Sequence, residues 1–259
     1  MLTDDRLTAG LRGCTAALAA IAAGDLGHPV PSCPGWTFRE LATHVGRGHR
    51  WAAEIVATRA ASFLPMAEVP DGKLPAEPAA REAWLNEAVD LLADAVAAAG
   101  DDPVWTFLGP APARWWLRRR AHEVAVHLAD VQLATGREPD LDADLAADGI
   151  GEWLEIIAGS AHAATEVARS RAEGLRGDGQ TLHFHATDPG LGGAGEWLVR
   201  RTPDGIAVQA GHAKADVAVR GPAARLLLVL TRRLPDTDPG VEIFGDQALF
   251  THWLAHTPF

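Results

Sequence analysis

The sequence has few cysteines and no long apolar run, and each of these absences argues against a class of protein. Its two cysteines, Cys14 and Cys33, form neither a CxxC pair nor a disulfide framework, as expected of a reduced cytoplasm. No apolar run approaches the roughly 18 uninterrupted residues that a membrane-spanning helix needs. The segment 1–13 is polar and acidic, where a signal peptide is basic and then apolar. We therefore predict a cytoplasmic protein that does not bind a membrane.

Positive charge is also scarce. The chain has 23 Lys and Arg residues against 34 Asp and Glu, which gives a formal net charge of −11. Nucleic-acid binding depends on Lys and Arg contacts to phosphate, so we expect no nucleic-acid partner. The 259 residues are 47% hydrophobic and 22% charged, an ordinary globular composition. That length suits one large domain or two modest ones.

The first two thirds of the chain carry apolar residues at the spacing of three and four that predicts amphipathic helices. The clearest stretch, Trp115–Thr135, contains neither Gly nor Pro. Another helix begins at the capping box Thr37-Phe38-Arg39-Glu40, in which side chains satisfy the free backbone N–H groups of the first turn. Long helices joined by loops predict an antiparallel four-helix bundle followed by a fifth helix. The predicted helices cover residues 3–23, 37–60, 77–99, 115–135 and 142–172, with loops that include 28–36 and 104–112.

The composition changes after Arg176. Short alternating or β-branched runs, separated by Gly, Pro and Asp, predict strands there, and two apolar segments predict helices. The predicted strands are 181–187, 196–201, 206–209, 217–219 and 241–244, and the predicted helices are 222–233 and 247–255. We therefore expect a two-domain α+β protein, with a helix bundle over residues 1–176 and a small α+β domain over residues 177–259.

Three side chains on two predicted helices form a candidate metal site. Glu123 and His127 are four residues apart, so they share one face of the fourth helix. His44 lies on the inward face of the second helix. Two nitrogens and one carboxylate match the ligand set of a catalytic zinc site, which keeps a fourth position open. Asp130, one turn beyond His127, is placed to orient an imidazole.

Plainer interpretations of the same residues stay open from the spacing alone. Glu-x-x-x-His also occurs as an ordinary helical ion pair, and a single histidine on an apolar stripe is usually a core residue. Asp130 is equally suited to pair with Arg118 or Arg119. Cys14 lies on the apolar stripe of the first helix, where cysteine behaves as a small hydrophobe. Cys33 lies in a Pro-rich loop, where nothing evident activates its thiol.

Several motifs resemble the mycothiol-dependent maleylpyruvate isomerase family, a branch of the DinB-like bundles. The entry to the second helix is similar in Cys33-Pro34-Gly35-Trp36-Thr37 followed by Leu41-x-x-His44, and the fourth helix in Arg119-x-x-x-Glu123-x-x-x-His127-x-x-Asp130. The tail resembles the family's sterol-carrier-protein-like C-terminal domain in Gly195-Glu196-Trp197, Asp216-Val217-x-Val219-x-Gly221-Pro222-Ala223 and Gly245-Asp246. The resemblance covers nearly the whole chain.

The resemblance implies a set of roles. His44, Glu123 and His127 would bind a divalent metal, usually zinc, and mycothiol would be the thiol cosubstrate. An arginine after the helix of the C-terminal domain would lie near the substrate, and Arg232 and Arg233 both fit, with Arg233 preferred. Coordination to zinc deprotonates a thiol, so the protein would be an isomerase of a maleylpyruvate-like enone acid or a thiol S-transferase.

The proposed chemistry also predicts binding partners, and two alternative functions stay open. The partners would be a small electrophile and a low-molecular-weight thiol, and the protein would be a monomer or a homodimer. Substrate carboxylates need cations, for which Arg114, Arg118, Arg119 and Arg233 are candidates. One alternative is a metal-binding bundle without turnover, as in a stress or regulatory protein. The other is a hydrolase that uses zinc-bound water.

Overall fold

The structure, a computed structural model, describes residues 1–22, 24–160 and 173–259. The chain divides into two compact units. One comprises Leu2–Asp140, and the other comprises Leu141–Phe259 together with Met1. The two-domain α+β fold class predicted from the sequence is confirmed, and each unit is described below by itself.

Four long helices build the first unit and confirm the predicted bundle. Helix α1 packs against α4 and α2 packs against α3, while further contacts join α1 to α3 and α2 to α4. Because α2 and α4 are in contact, the faces that carry the predicted metal ligands meet. The helices are α1 (Asp4–Ala22), α2 (Phe38–Ala57), α3 (Pro78–Ala99) and α4 (Arg114–Ala134).

Narrow apolar stripes hold the bundle together. Leu7, Leu11 and Leu18 follow the stripe of α1, and each is fully buried. Burying one such side chain stabilises a fold by about 1.5–3 kcal/mol relative to leaving it exposed. Across the described ranges, no helix combines the length and the apolar character needed to cross a membrane.

The helix ends follow local chemistry. The capping box of Thr37 and Glu40 is present, as predicted. Helix α2 ends at Ala57, three residues before the predicted end, and Arg59 then takes a positive φ of 50°. The predicted loop 104–112 includes a small ladder, because β1 (Pro103–Val104) pairs antiparallel with β2 (Ala111–Pro112). Two-residue strands are too short to show an alternating sequence pattern.

Within its described residues, 141–160 and 173–259, the second unit combines a five-stranded sheet with the helices given below. The strand order is β5-β4-β3-β6-β7, in which β3 and β6 are parallel and the other pairs are antiparallel. The predicted strands and helices of this region are confirmed with small shifts at their ends. The elements are α5 (Ala143–Ser160), β3 (Thr181–Ala186), β4 (Glu196–Thr202), β5 (Gly205–Ala210), β6 (Val217–Gly221), α6 (Ala223–Leu230), β7 (Glu242–Gly245) and α7 (Gln247–His256).

The fifth predicted helix belongs to the second unit rather than to the bundle. Helix α5 packs against α6 and β5, so the compact units divide at Asp140 instead of after residue 176. Helical periodicity shows that a segment has an apolar face, but it does not show which neighbour covers that face. The remainder of the predicted helix, residues 161–172, lies outside the described residues.

Gly46 offers a test of the packing between α2 and α3. A Cβ at this position would overlap the Trp84 ring, which is held by its Nε1 bond to the Asp71 carbonyl (2.9 Å) and by the guanidinium of Arg50. Gly46→Ala is therefore expected to lower the free energy of unfolding by about 1–3 kcal/mol. Denaturation followed by far-UV circular dichroism measures the change.

The matched control is Gly13→Ala on α1, where an added Cβ meets nothing within 4 Å. That substitution is expected to stabilise the helix by about 0.5–1 kcal/mol, because alanine loses less backbone entropy on folding than glycine does. Equal effects of the two substitutions would contradict the packing described here.

Candidate metal centre

His44 on α2 and Glu123 and His127 on α4 converge on one point. Each offers one ligand atom, and the three atoms lie within 4.8 Å of one another. His44 Nε2 lies 2.8 Å from Glu123 Oε1, and the two imidazole rings meet edge to face with centroids 5.1 Å apart. The structure therefore brings together the three residues that the sequence singled out.

The Glu123 carboxylate is kept ionised by its neighbours. Burial is the largest single effect and raises the pKa of Glu123, but the Arg120 cation, the His44 hydrogen bond and Arg119 together outweigh it. The resulting pKa is well below the ordinary carboxyl value. Arg120 Nη1 lies 2.6 Å from Glu123 Oε2, and Arg119 Nε lies 3.6 Å from the same oxygen. An ionised carboxylate is the form that a metal ion binds.

A buried chain of hydrogen bonds fixes Arg120 behind the site. Arg120 Nε donates to His49 Nδ1 (3.1 Å), and His49 Nε2 lies 3.2 Å from Thr15 Oγ1 on α1. Burial, and then the Arg120 charge, lower the pKa of His49 well below its usual value, so this imidazole is a neutral acceptor. Gly48 leaves the necessary room, because a Cβ there would lie 2.5 Å from Arg120 Nη2.

Asp130 orients the second imidazole of the site. It is fully buried, and its Oδ2 accepts from His127 Nδ1 at 2.8 Å. The proton on Nδ1 leaves a lone pair on Nε2, the tautomer suited to hold a metal. Burial lowers the pKa of His127 although Asp130 opposes the shift, so the imidazole is neutral near pH 7.

The loop before α2 contributes contacts that the sequence did not reveal. Ser32 Oγ donates to Asp130 Oδ1 (2.6 Å), and Cys33 Sγ donates to Asp130 Oδ2 (3.5 Å). Cys33 thus lies beside the site, although the sequence analysis gave it no role. The Trp36 ring lies 5.0 Å from that of His44 and 6.2 Å from that of His127. One indication of these contacts is present in the sequence: the loop comes directly before α2, the helix that carries His44.

The arginines that were candidates for binding a substrate carboxylate lie in different environments. Arg114 Nε lies 2.9 Å from Asp4 Oδ1 on α1, whereas Arg118 and Arg119 are buried. The cation in closest contact with Glu123 is Arg120, which the sequence analysis did not select. Arg233 follows α6 in the second unit, where its Nη1 donates to the Thr231 carbonyl (2.8 Å) and its guanidinium lies 4.6 Å above the Phe259 ring.

Comparisons with known proteins fit this arrangement. Residues 7–132 match the model of the mycothiol maleylpyruvate isomerase N-terminal domain, and residues 144–252 match that of the corresponding C-terminal domain. Two uncharacterized proteins from strains of Mycobacterium tuberculosis are 33% identical over 145 residues, which is 55% of this chain and 72% of theirs. The chain belongs to the mycothiol-dependent maleylpyruvate isomerase family.

Solved structures of this enzyme family share the fold. The mycothiol-dependent maleylpyruvate isomerase and a mutant of it superpose with a TM-score of 0.54, at 18% and 17% identity, over 93% of this chain and 93% of theirs. The family's two domain models meet between residues 132 and 144, which agrees with the division of the compact units at Asp140.

The role of Arg120 gives a pH prediction. Because the pKa of Glu123 is lowered in the folded state, its contribution to stability is present above the ordinary carboxyl pKa and is lost as pH falls through the lowered value. Arg120→Gln removes one of the charges that oppose the effect of burial, so we expect the pKa of Glu123 to rise, its contribution to stability to shrink, and the loss of that contribution to be complete at higher pH. Carboxyl ¹³C titration of metal-free protein measures the shift.

Two controls accompany this titration. Arg120→Lys retains a positive charge and is expected to keep the pKa of Glu123 low, while Arg39→Gln removes an exposed cation at the start of α2 and is expected to change nothing. An unchanged Glu123 titration in Arg120→Gln would contradict the account.

Proposed function

We propose that this protein is a zinc-dependent enzyme that uses mycothiol as a nucleophile to isomerise a maleylpyruvate-like cis enone acid. The observation that carries the proposal is the convergence of His44, Glu123 and His127 within 4.8 Å on facing helices. Membership of the isomerase family supports the choice of thiol and of substrate class. The cytoplasm is the compartment we propose, because the two cysteines, Cys14 and Cys33, form neither a CxxC pair nor a disulfide framework in the sequence.

The donor set fits zinc. Two imidazole nitrogens and one carboxylate oxygen match a catalytic zinc site with an open fourth position. The His44 side chain is 36% exposed and that of Glu123 is 17% exposed, so a small molecule has a way to approach. When bound, a zinc ion would lower the pKa of the mycothiol thiol and hold it as a thiolate at the open position.

The surrounding residues prepare the three ligands. Asp130 holds the His127 proton on Nδ1, which places the lone pair that would bind a metal on Nε2. Arg120 maintains the charge of Glu123. His44 Nε2 donates to Glu123 in the arrangement described, and metal binding would displace that proton, as it does generally at imidazole ligands. The indole of Trp36 lies against both imidazoles and would limit access of water to this side of the site.

The reaction needs no oxidant or reductant. The mycothiol sulfur adds to the cis double bond, so a carbon–sulfur bond forms and the π electron pair moves onto the conjugated carbonyl oxygen. The former double bond is now single and rotates. The electron pair then returns, the carbon–sulfur bond breaks, and the trans product leaves together with regenerated thiolate. Arg233 is the cation that we propose for the substrate carboxylate, a role suited to a fixed guanidinium.

The competing activities differ in their products. A thiol S-transferase shares the addition step but releases the thiol adduct. A hydrolase with zinc-bound water would act without any thiol. A binding protein without turnover would hold the metal and convert nothing. An assay with maleylpyruvate that records isomerised product, thiol adduct and hydrolysis product, with and without mycothiol, separates the four.

His127→Ala is expected to abolish thiol-dependent turnover and to reduce zinc content severely. The reason is that one of three ligands is lost, while the apolar stripes that stabilise the bundle are unchanged. Asp130→Asn is expected to cost less, about 10–100-fold in metal affinity or activity, because it acts through His127. Metal analysis, circular dichroism and turnover are measured on the same preparations.

His28→Ala is the matched control on the bundle, since its imidazole contacts the Ala134 carbonyl at the end of α4 (2.9 Å). It is expected to retain zinc and activity. Normal mycothiol-dependent turnover in folded His127→Ala would rule out the proposed role of the metal. An unfolded His127→Ala, with Asp130→Asn folded and fully active, would mark the histidine as structural.

Arg233→Met is expected to raise KM for the carboxylate substrate by roughly 10–100-fold, the cost of one lost charge-assisted hydrogen bond. Arg233→Lys should recover part of the loss, because it retains the charge without the planar guanidinium. Arg232→Met, at the exposed neighbouring position, is the control and should resemble the unmodified protein. A larger rise in KM for Arg232→Met than for Arg233→Met would indicate that Arg232, and not Arg233, binds the substrate carboxylate.

A further inference from the structure

A second group of imidazoles and a carboxylate lies on the sheet of the second unit. His183 and His185 alternate along β3, so both project from the same face of the sheet. Glu196 begins β4 and is paired directly with His185. His212 follows β5, where the Gly211 N–H donates to the Glu196 carbonyl (3.1 Å) and brings the segment alongside. The strand register therefore gathers residues that are up to 29 positions apart.

The imidazole nitrogens of this group lie at hydrogen-bonding or ion-pairing distance from the Glu196 carboxylate. His183 Nε2 lies 2.6 Å from Glu196 Oε2, and His212 Nδ1 lies 3.1 Å from the same oxygen. His185 Nε2 lies 3.7 Å from Glu196 Oε1. The ligand atoms of His183, Glu196 and His212 all lie within 4.8 Å of one another, as do those of the bundle site.

The packing of the sheet does not account for these residues. The opposite face of β3 carries Leu182 and Phe184, and the Phe184 ring packs against Phe250 and Trp253 of α7. The His183 side chain is nonetheless only 4% exposed. The Glu196 carboxylate faces three imidazoles, those of His183, His185 and His212. A single hydrogen-bonded partner would satisfy His183, so the additional imidazoles call for another explanation.

We propose that His183, Glu196 and His212 bind a divalent transition-metal ion, with Zn²⁺ as the best match. Imidazole nitrogens with one carboxylate suit zinc, whereas Mg²⁺ and Ca²⁺ require oxygen ligands. The His212 side chain is 72% exposed, so an ion can enter from solvent, and His185 borders the remaining position. This site has its own ligands and is independent of the proposed bundle site.

The bound ion would join three chain segments. It would tie β3, the start of β4 and the segment after β5 through side chains on one face, and so stabilise this part of the sheet. A ligand that binds the folded state and not the unfolded state raises the melting temperature with its concentration. The proposed role is therefore structural, and it is measurable without any enzyme assay.

The test uses the full chain, without an affinity tag, in a His44→Ala/His127→Ala background that removes two ligands of the bundle site. After chelator treatment, Zn²⁺ is titrated against a chromophoric competitor. We expect one saturable site per chain. Adding His212→Ala, an exposed substitution, should weaken binding by at least about 100-fold, since even residues that only support a ligand cost 10–100-fold. Glu196→Gln should act in the same direction.

Lys214→Ala, exposed in the same segment, and Glu242→Gln, an exposed carboxylate on β7, are the matched controls and should retain the site. Circular dichroism checks that each variant is folded, and zinc should raise the melting temperature of the background variant but not that of the His212→Ala form. Absence of saturable zinc binding in the background variant would overturn the proposal. Binding unaffected by both His212→Ala and Glu196→Gln would overturn it as well.

Discussion

The candidate metal centre depends on an ionised carboxylate, Glu123, held in the interior of a helix bundle. A buried charge is costly unless it is paired and hydrogen-bonded. Arg120 supplies the pairing at 2.6 Å, and it is itself buried. Other N–H groups of Arg120 donate to His49 and to the Val45 carbonyl. The free-energy cost of burying the two charges is therefore offset by contacts between α2 and α4. The adjacent Gly48 leaves space for the guanidinium.

This arrangement explains why the two imidazoles differ. His44 bonds directly to Glu123 and is half exposed, whereas His127 is buried and is oriented by Asp130. The site thus has a fixed buried side, formed by α4, and an accessible side, formed by α2. A metal ion bound there would take ligands from both helices, and the partly exposed His44 side chain marks the side from which a small molecule can approach.

The convergence of His44, Glu123 and His127 could be predicted from sequence because it depends on local periodicity. Glu123 and His127 are one turn apart, and His44 lies on the inward face of an obvious helix. Arg120 could not be distinguished from Arg118 and Arg119, because the choice depends on how α4 is rotated against α2. That rotation follows from packing across the whole bundle and leaves no short-range signal.

Other features required non-local information. The contacts of Cys33 and Trp36 depend on how the loop before α2 folds back on α4, and a Pro-rich sequence predicts only that a loop exists. The assignment of α5 to the second unit depends on which surface its apolar face meets. His183 and His185 are two residues apart in a predicted strand, but Glu196 and His212 join them only through the strand register.

The most direct measurement is the absorption spectrum of the protein loaded with Co²⁺ in place of zinc, recorded while mycothiol is added. Cobalt bound by a thiolate shows a sulfur-to-metal charge-transfer band, so the spectrum reports the metal–sulfur contact itself. The account predicts that this band appears with mycothiol, saturates, and is lost in folded His127→Ala together with turnover. Mycothiol-dependent isomerisation by metal-free protein, with no such band in the loaded form, would contradict it.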